Sequence, residues 1–173
     1  ALLGGTVGCG KAAENLTEKA IEKGTGCENV DINQDGGSVE CDGQTIDVGG
    51  NAKIPDDFPA ELAPPDDAKI YSVFSGTENG RKTWTITASI PAGAQDVHDG
   101  LTTQLTEAGY DITSDSFTEG TSGEGGNLQA RNDTYEVTAL FGQNTTGTDD
   151  GGVYVTMQVR ELTEEEAAEG SGS

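Results

Sequence analysis

The stretch Trp84-Thr-Ile-Thr-Ala-Ser-Ile90 decides the fold class of this 173-residue chain. Apolar residues alternate there with Thr and Ser, the pattern of an antiparallel strand with one face in the core and one in water. Pro91 ends the strand. A predicted helix follows and stops at Gly109, a residue suited to a helix C-terminus. Its apolar positions recur at helical spacing and are Ala94, Val97, Leu101, Leu105 and Ala108. We therefore expect the helix to pack on the apolar face of the strand.

Similar strand patterns lie on both sides of this pair. Those predicted along the chain lie at 68–75, 110–117, 128–131, 135–141 and 153–159. We predict an α+β main domain over 68–160, with an antiparallel sheet of about five strands in the order β-β-α-β-β-β and one helix on one face. The other face is lined by Thr and Ser and is expected to be solvated. The Gly- and Ser-rich stretch 119–127 is predicted to be a mobile loop.

Residues 10–50 are predicted to form a separate unit before the main domain. Residues 10–24 have the spacing of a narrow apolar helix. In residues 28–50, apolar and polar residues alternate in short runs. This pattern predicts a small β-meander with turns at Asp35-Gly36-Gly37 and Asp42-Gly43. So few strands are marginally stable alone, and a covalent link would compensate for the small core.

The segments on either side of the main domain are predicted to be irregular. Residues 51–67 hold four of the five prolines, so they are expected to be an extended connector. Phe58 and Leu62 are the residues that would pin it to the main domain. Residues 161–173 are acidic and end in Gly-Ser-Gly-Ser, which predicts a disordered tail.

The first ten residues, Ala1-Leu-Leu-Gly-Gly-Thr-Val-Gly-Cys9-Gly10, resemble the end of a bacterial lipoprotein signal peptide. Gly8-Cys9 fits the lipobox, although Thr6 stands where Leu is usual. Residues 1–9 are then a signal-peptide remnant with its lipobox, and Cys9 is the lipidated residue. Acyl chains on Cys9 would anchor the protein to a membrane, since each buried methylene adds about 0.8 kcal/mol.

The same residues also match a phosphate-binding loop. Gly5 to Lys11 fits G-x-x-x-x-G-K, but that loop needs a preceding strand and a Ser or Thr after the lysine. Only four residues precede Gly5, and Ala12 follows Lys11. The context therefore argues against a nucleotide site.

The charge of the chain excludes several classes of partner. The chain has 31 acidic and 9 basic residues, a net charge of −22. Nucleic acid is excluded, because its phosphates are bound by Lys and Arg. Electrostatic docking to anionic lipid is disfavoured for the same reason. A strongly acidic surface favours a soluble monomer, which we expect.

The three cysteines allow two interpretations. If Cys9 carries lipid, then Cys27 and Cys41 remain to form a disulfide. Such a loop closure is worth about 3 kcal/mol in the chain-entropy treatment. The alternative is three free thiols in a cytosolic protein. The disulfide interpretation predicts an extracytoplasmic location.

One segment has the spacing of a calcium-binding loop. Asp31, Asn33, Asp35 and Gly36, with Asp42 at the twelfth position, resemble an EF-hand loop with Asp in place of the final Glu. The predicted neighbours are strands rather than helices, so the competing interpretation is a hairpin turn with acidic neighbours. We favour the turn, and we expect no cofactor unless this loop takes calcium.

Catalytic residues are not predicted. His98 is the only histidine, and no nucleophile or acid partner is assigned to it, which favours a structural role. Carboxylates are abundant, so an acid pair for a hydrolase remains an alternative, but such sites need acids beside aromatic platforms in a cleft.

Together these features resemble small actinobacterial cell-envelope lipoproteins of unassigned function. The features that carry the resemblance are the lipobox Cys9, the meander with Cys27 and Cys41, the Pro-rich connector and the α+β domain. The resemblance implies a protein anchored to the outer face of the cytoplasmic membrane. We expect a non-catalytic binding or protein-interaction module with an envelope protein as its partner, contacting it through the Thr-rich face or an exposed edge strand. A calcium-stabilised envelope domain is the alternative, followed by a carboxylate-dependent hydrolase.

Overall fold

A computed structural model describes residues 27–33, 36–49, 52–120, 123–143 and 152–170. Within them nine strands form one antiparallel sheet in the order β1-β2-β3-β4-β5-β9-β8-β7-β6. The strands are β1 (Cys27–Asn33), β2 (Gly36–Cys41), β3 (Gln44–Gly49), β4 (Lys69–Glu78), β5 (Arg81–Ile90), β6 (Asp111–Gly120), β7 (Gly123–Arg131), β8 (Tyr135–Gln143) and β9 (Val153–Glu161). The helices are α1 (Ala94–Glu107) and α2 (Glu164–Gly170), and a short 3-10 turn spans Ala60–Leu62.

The core lies between the sheet and a second layer on one side of it, which we call the inner face. α1 packs against β6, β7 and β8. The connector covers β5 beside it, where the Phe58 ring meets the edge of Trp84 at 6.1 Å between centroids. Phe58 and Leu62 are buried, as expected from the sequence. The opposite side of the sheet is the outer face.

The strand predicted at 84–90 is confirmed as part of β5. Trp84, Ile86 and Ala88 are buried on the inner face, whereas Thr85 and Thr87 are half-buried on the outer face. The turn before it is a two-residue hairpin loop at Asn79-Gly80, with φ of 52° and 79°. Positive φ at both positions is what tight antiparallel hairpins require.

The predicted helix is confirmed as α1. Ala94, Val97, Leu101 and Leu105 are buried along one stripe. The helix ends in a Schellman motif, in which Tyr110 N donates to Leu105 O at 2.9 Å and Gly109 N donates to Thr106 O at 3.1 Å. Gly109 has φ of 81°, which explains why a glycine stands there.

The sheet is larger than the sequence predicted. The predicted order β-β-α-β-β-β has five strands, but the six predicted strand ranges of the main domain correspond to β4 to β9, and the meander, predicted to be separate, adds three more strands. β3 pairs with β4 from Thr45 opposite Ser75 to Val48 opposite Ser72. Without β3, β4 would be an edge strand with unpaired backbone N–H and C=O groups. β3 forms hydrogen bonds with these groups and so joins the meander to the main sheet. The predicted helix at 10–24 lies outside the described residues.

The stretch predicted as a mobile loop is mostly strand. β6 continues to Gly120 and β7 begins at Gly123. A Cβ on Gly126 would clash with the carbonyl oxygen of Ser116 and would lie 2.7 Å from Cζ of Phe141. Glycine is therefore required there by close packing, whereas the sequence interpretation attributed the glycines to flexibility.

The acidic tail is also more ordered than predicted. β9 runs to Glu161, and 164–170 form α2. Thr163 and Glu166 form a capping box: Thr163 N donates to Glu166 Oε2 at 2.9 Å, and Glu166 N donates to Thr163 Oγ1 at 3.2 Å. The motif Thr163-Glu-Glu-Glu166 was the sequence signal for this helix start. Residues 171–173 lie outside the described ranges.

The disulfide between Cys27 and Cys41 is confirmed. The two cysteines lie directly opposite each other in β1 and β2, with their Cα atoms 4.1 Å apart. The bridge indicates an oxidising, extracytoplasmic environment. Among the described residues, neither helix has the length and apolar character needed to span a bilayer.

Candidate functional site

A band of uncharged side chains crosses the outer face from β3 to β6. It consists of two neighbouring rows. Within each row, the residues are paired with one another from strand to strand across seven strands. One row is Val48, Ser72, Thr87, Thr156, Leu140, Asn127 and Ser116, and the other is Ile46, Phe74, Thr85, Gln158, Thr138, Gln129 and Ser114. We call this band the neutral face. Six spacings of about 4.8 Å make it about 29 Å long.

The composition of the neutral face differs from that of the whole chain. Charged residues make up 23% of the sequence, yet the two rows contain none. Among the described residues, the exposed large hydrophobic side chains are Ile46 (40%), Val48 (44%) and Leu140 (51%). All three lie on this band. Ile46 and Val48 are neighbours on β3, and Leu140 lies four strand spacings away on β8, about 19 Å. We take this uncharged band with its exposed apolar groups as the candidate contact site.

The strand alternation of the sequence builds this surface. In the middle of β5 and β9 each buried apolar residue is followed by an outward Thr or Gln: Thr85 and Thr87 in β5, and Thr156 and Gln158 in β9. Threonine is β-branched, so its side chain is stiff and fits a pleated surface. Because stiff side chains lose little freedom on contact, such a surface binds at a low entropic cost.

Different structures border the neutral face at its two sides. On one side Arg160 bonds to Glu136 at 2.7 Å and to Glu166 of α2 at 2.8 Å. On the other side the rings of Tyr71 and Tyr154 stack with centroids 5.2 Å apart. The uncharged band is therefore limited by a salt-bridge network and by an aromatic pair.

The edge strands of the described sheet are less suited to add a partner strand. β6 carries Asp111, Asp115 and Glu119, and its pairing with β7 is irregular between Ile112 and Ser114. β1 has a similar irregularity, where Asn29 adopts φ of 53°. Charges and bulges on an edge oppose strand addition. The edge alternative is therefore less favoured than the face.

Three of the four predicted calcium ligands, Asp31, Asn33 and Asp42, lie within the described residues, in or next to β1 and β2. Asn33 lies opposite Gly36 at one end of the β1–β2 hairpin, whereas Asp42 follows the Cys27–Cys41 pair at the other. Five residue steps of about 3.3 Å separate the two ends by about 17 Å. Asp42 has φ of 50° and forms a tight turn with Gly43. Asp31 is exposed within β1, and Asp35 lies outside the described residues. The register does not bring Asp42 to Asn33.

His98 has two carboxylate partners that sequence reasoning missed. Its Nε2 lies 2.8 Å from Asp115 Oδ1 and its Nδ1 lies 3.1 Å from Asp99 Oδ1. The ring also lies against Phe117 and Phe141. The hydrogen bond with Asp115 is the main cause that raises the pKa of His98. Asp115 is brought to α1 only by the pairing of β6, so no local pattern showed it.

A further polar cluster closes one end of the core. Lys82 Nζ lies 2.7 Å from Asp57 Oδ2, and Trp84 Nε1 donates to Asp57 Oδ1 at 3.4 Å. The hydrogen bond from Lys82 lowers the pKa of Asp57. Burial, together with nearby Glu161, raises the pKa of Tyr135. These groups hold the connector against the sheet, and Asp57 stays ionised at neutral pH.

Cys9 and the proposed lipobox lie outside the described residues. In the part of the chain that the structure describes, no group of three or more His, Cys, Asp and Glu side chains is arranged to hold a metal ion. No protein-family model, curated protein or solved structure matches the chain.

Proposed function

We propose that this protein is a lipid-anchored, extracytoplasmic binding module without catalytic activity. Acylation of Cys9 holds it at the outer face of the cytoplasmic membrane. The neutral face contacts an envelope protein partner. The Cys27–Cys41 disulfide supports the extracytoplasmic part of this proposal.

The observation that carries the proposal is the composition of the neutral face. In a chain with a net charge of −22, two rows across seven strands lack any charge and include the exposed Ile46, Val48 and Leu140. Charge depletion around exposed apolar groups is the compositional mark of the centre of a protein interface. A band about 29 Å long on the face of a sheet fits a protein surface better than a small molecule, which binds in a concave site.

The chemistry of the polar clusters supports a non-catalytic role. Both ring nitrogens of His98 are engaged by carboxylates, so neither is aimed at a substrate. A carboxylic general acid needs a raised pKa. The pKa values of Asp57, Asp99 and Glu166 are instead lowered.

The test is site-specific photocrosslinking of the full-length, anchored protein in its native envelope. A photoreactive amino acid replaces Thr138 on the neutral face, and in a matched protein it replaces Thr103 on the exposed side of α1. We expect a discrete crosslinked protein from position 138 and not from position 103. The substitution Gln158→Lys should lower the yield from position 138 at least tenfold, whereas Thr103→Lys should not change it.

Two results would contradict this proposal. One is equal crosslinking from positions 138 and 103, which would show unspecific proximity in the envelope. The other is an unchanged yield in the Gln158→Lys protein. The anchor is tested separately, because the membrane-extracted chain should begin at Cys9 and carry the added mass of its acyl groups.

A further inference from the structure

A cleft lies between α1 and the connector, on the inner side of the sheet and away from the neutral face. It has a volume of about 270 Å³, and apolar side chains of Ala63, Pro65, Ile90, Val97 and Leu101 line most of it. A separate void of about 20 Å³ shares Pro65, Ile90, Leu101 and Gln104 with the cleft, and at the sheet it is lined by Ile86, Ala88, Val155 and Met157. These last four residues are buried core residues. The cleft therefore has mostly apolar walls and lies directly beside core residues.

Side-chain hydrogen bonds hold the two walls of the cleft at a fixed separation. Gln104 on α1 donates through Nε2 to the carbonyl oxygens of Glu61 and Ala63, at 3.0 and 2.9 Å. Pro65 stiffens the connector on the opposite side, because proline fixes its backbone. The cleft is therefore largely preformed, as ligand sites usually are.

Gly100 keeps the opening of the cleft clear. It lies inside α1, where glycine is a weak helix former. Beyond the local helix backbone, no atom of the described residues lies within 4 Å of a Cβ built on Gly100. Packing therefore does not require glycine here. A side chain at this position would lean toward the preceding turn, where Asp96 and Val97 line the opening.

The opening is acidic. Asp96 is exposed among the lining residues of the cleft. A shallow depression adjoins it at Gly100 and contains Glu61, Asp99 and Glu107. Among the described residues that line the cleft or the depression, none is Lys or Arg. The negative electrostatic potential of these carboxylates attracts a cation and repels another carboxylate.

We propose that this cleft binds an amphiphilic cation, with a short alkyl chain or single ring inside the cleft and a positively charged head at Asp96. The volume fits this ligand, since an apolar cavity of about 150 Å³ is enough for benzene. The neutral walls bind the apolar part through burial, and the acidic opening selects the head. This binding depends neither on the lipid anchor nor on a protein partner at the neutral face.

The test compares three eight-carbon amphiphiles with the full chain, all below micelle formation: octyltrimethylammonium, octyl glucoside and octanoate. Binding is followed by NMR through the methyl groups of Ile90, Val97 and Leu101. We expect the cation to bind at least fivefold more tightly than octanoate, with the neutral glucoside between them. Gly100→Phe should weaken binding of the cation at least tenfold, whereas Gly100→Ala should keep it within about twofold.

A second variant keeps the test decisive if Gly100→Phe fails to fold. Asp96→Lys changes only an exposed side chain, and it should reduce the preference for the cation over octanoate at least threefold. Three results would overturn the proposal. These are methyl signals that do not respond to the cation, equal affinities for the cation and octanoate, and undiminished binding by folded Gly100→Phe.

Discussion

Gly100 gives the clearest prediction for a single residue. It lies in the interior of α1, and a Cβ there would meet open space. Replacement by alanine removes the conformational freedom of glycine in the unfolded chain without creating a clash. We expect Gly100→Ala to raise the free energy of unfolding by about 1 kcal/mol. Chemical denaturation measures this change.

A matched substitution at Gly109 provides the control for that prediction. Gly109 has φ of 81°, which is unfavourable for alanine. Gly109→Ala should therefore destabilise the protein by about 1 kcal/mol. If both substitutions shifted stability in the same direction, the two glycines would not differ as the structure indicates.

His98 is the second residue with a defined energetic role. Its carboxylate partners raise its pKa above the ordinary 6.5, and the hydrogen bond with Asp115 contributes most. The stabilisation is then fully present below about pH 6.5 and is lost as the pH rises through the raised value. We expect the free energy of unfolding to fall by about 1 kcal/mol between pH 6 and pH 9.

The measurement for His98 has an internal check. It is the only histidine, so its ring signal in NMR gives the pKa without ambiguity. The His98→Gln protein should lack the fall in stability over this pH range. A titration midpoint at or below 6.5 would contradict the ion pairs seen in the structure.

At the scale of elements, α2 depends on one side chain. All three arginines of the chain contact Glu166: Arg81 and Arg160 bond to its carboxylate, and Arg131 Nη2 donates to its backbone oxygen at 2.7 Å. The hydrogen bonds with the Thr163 backbone and with Arg160 lower the pKa of Glu166 to about 2. The contribution of Glu166 is therefore present above the ordinary value of 4.5 and is lost as the pH falls toward 2.

The prediction for α2 follows from that carboxylate. Glu166→Gln should increase amide exchange across 164–170 at pH 7 and leave α1 unchanged. Wild-type α2 should show the same loss of protection as the pH falls from about 4.5 to about 2. Glu165→Gln, which changes the adjacent exposed side chain, is the control and should exchange like the wild type.

The β1–β2 hairpin leads to a prediction about calcium. Asn33 and Asp42 lie at opposite ends of the hairpin, so the strand register does not bring these two predicted ligands together. We expect calcium to bind only at millimolar concentration, the weak end seen for extracellular modules. Calorimetric titration of the metal-free protein measures this. Micromolar affinity that disappears in Asp35→Ala would restore the calcium-loop interpretation.

At the scale of the whole molecule, the continuous sheet couples the meander to the core. β3 is paired to β4, and β4 to the strand that carries Trp84. Loss of the disulfide should therefore lower the stability that is measured at Trp84, by about 3 kcal/mol. The experiment follows Trp84 fluorescence during denaturation of the Cys27→Ser/Cys41→Ser protein. Cys9→Ser is the control and should match the wild type. An unchanged Trp84 transition in the double variant would show that the meander unfolds independently.

The local elements and the disulfide could be predicted from sequence patterns alone. The period of two in β5, the helical stripe of α1 and the turn at Asp42-Gly43 are short-range patterns, so they can be recognised without tertiary contacts. The Cys27–Cys41 pairing followed from the interpretation of Cys9 as the lipidated residue.

The way these elements combine depends on contacts between distant parts of the chain, which the structure shows. β9 lies between β5 and β8, and the neutral face exists because that register aligns Thr87, Thr156 and Leu140 in one row. Residues far apart in the chain also meet in three other places. These are the arginine contacts of Glu166, the hydrogen bond between His98 and Asp115, and the lining of the cleft at Gly100. Such contacts depend on strand register and on layer packing, which local hydrophobic patterns do not encode.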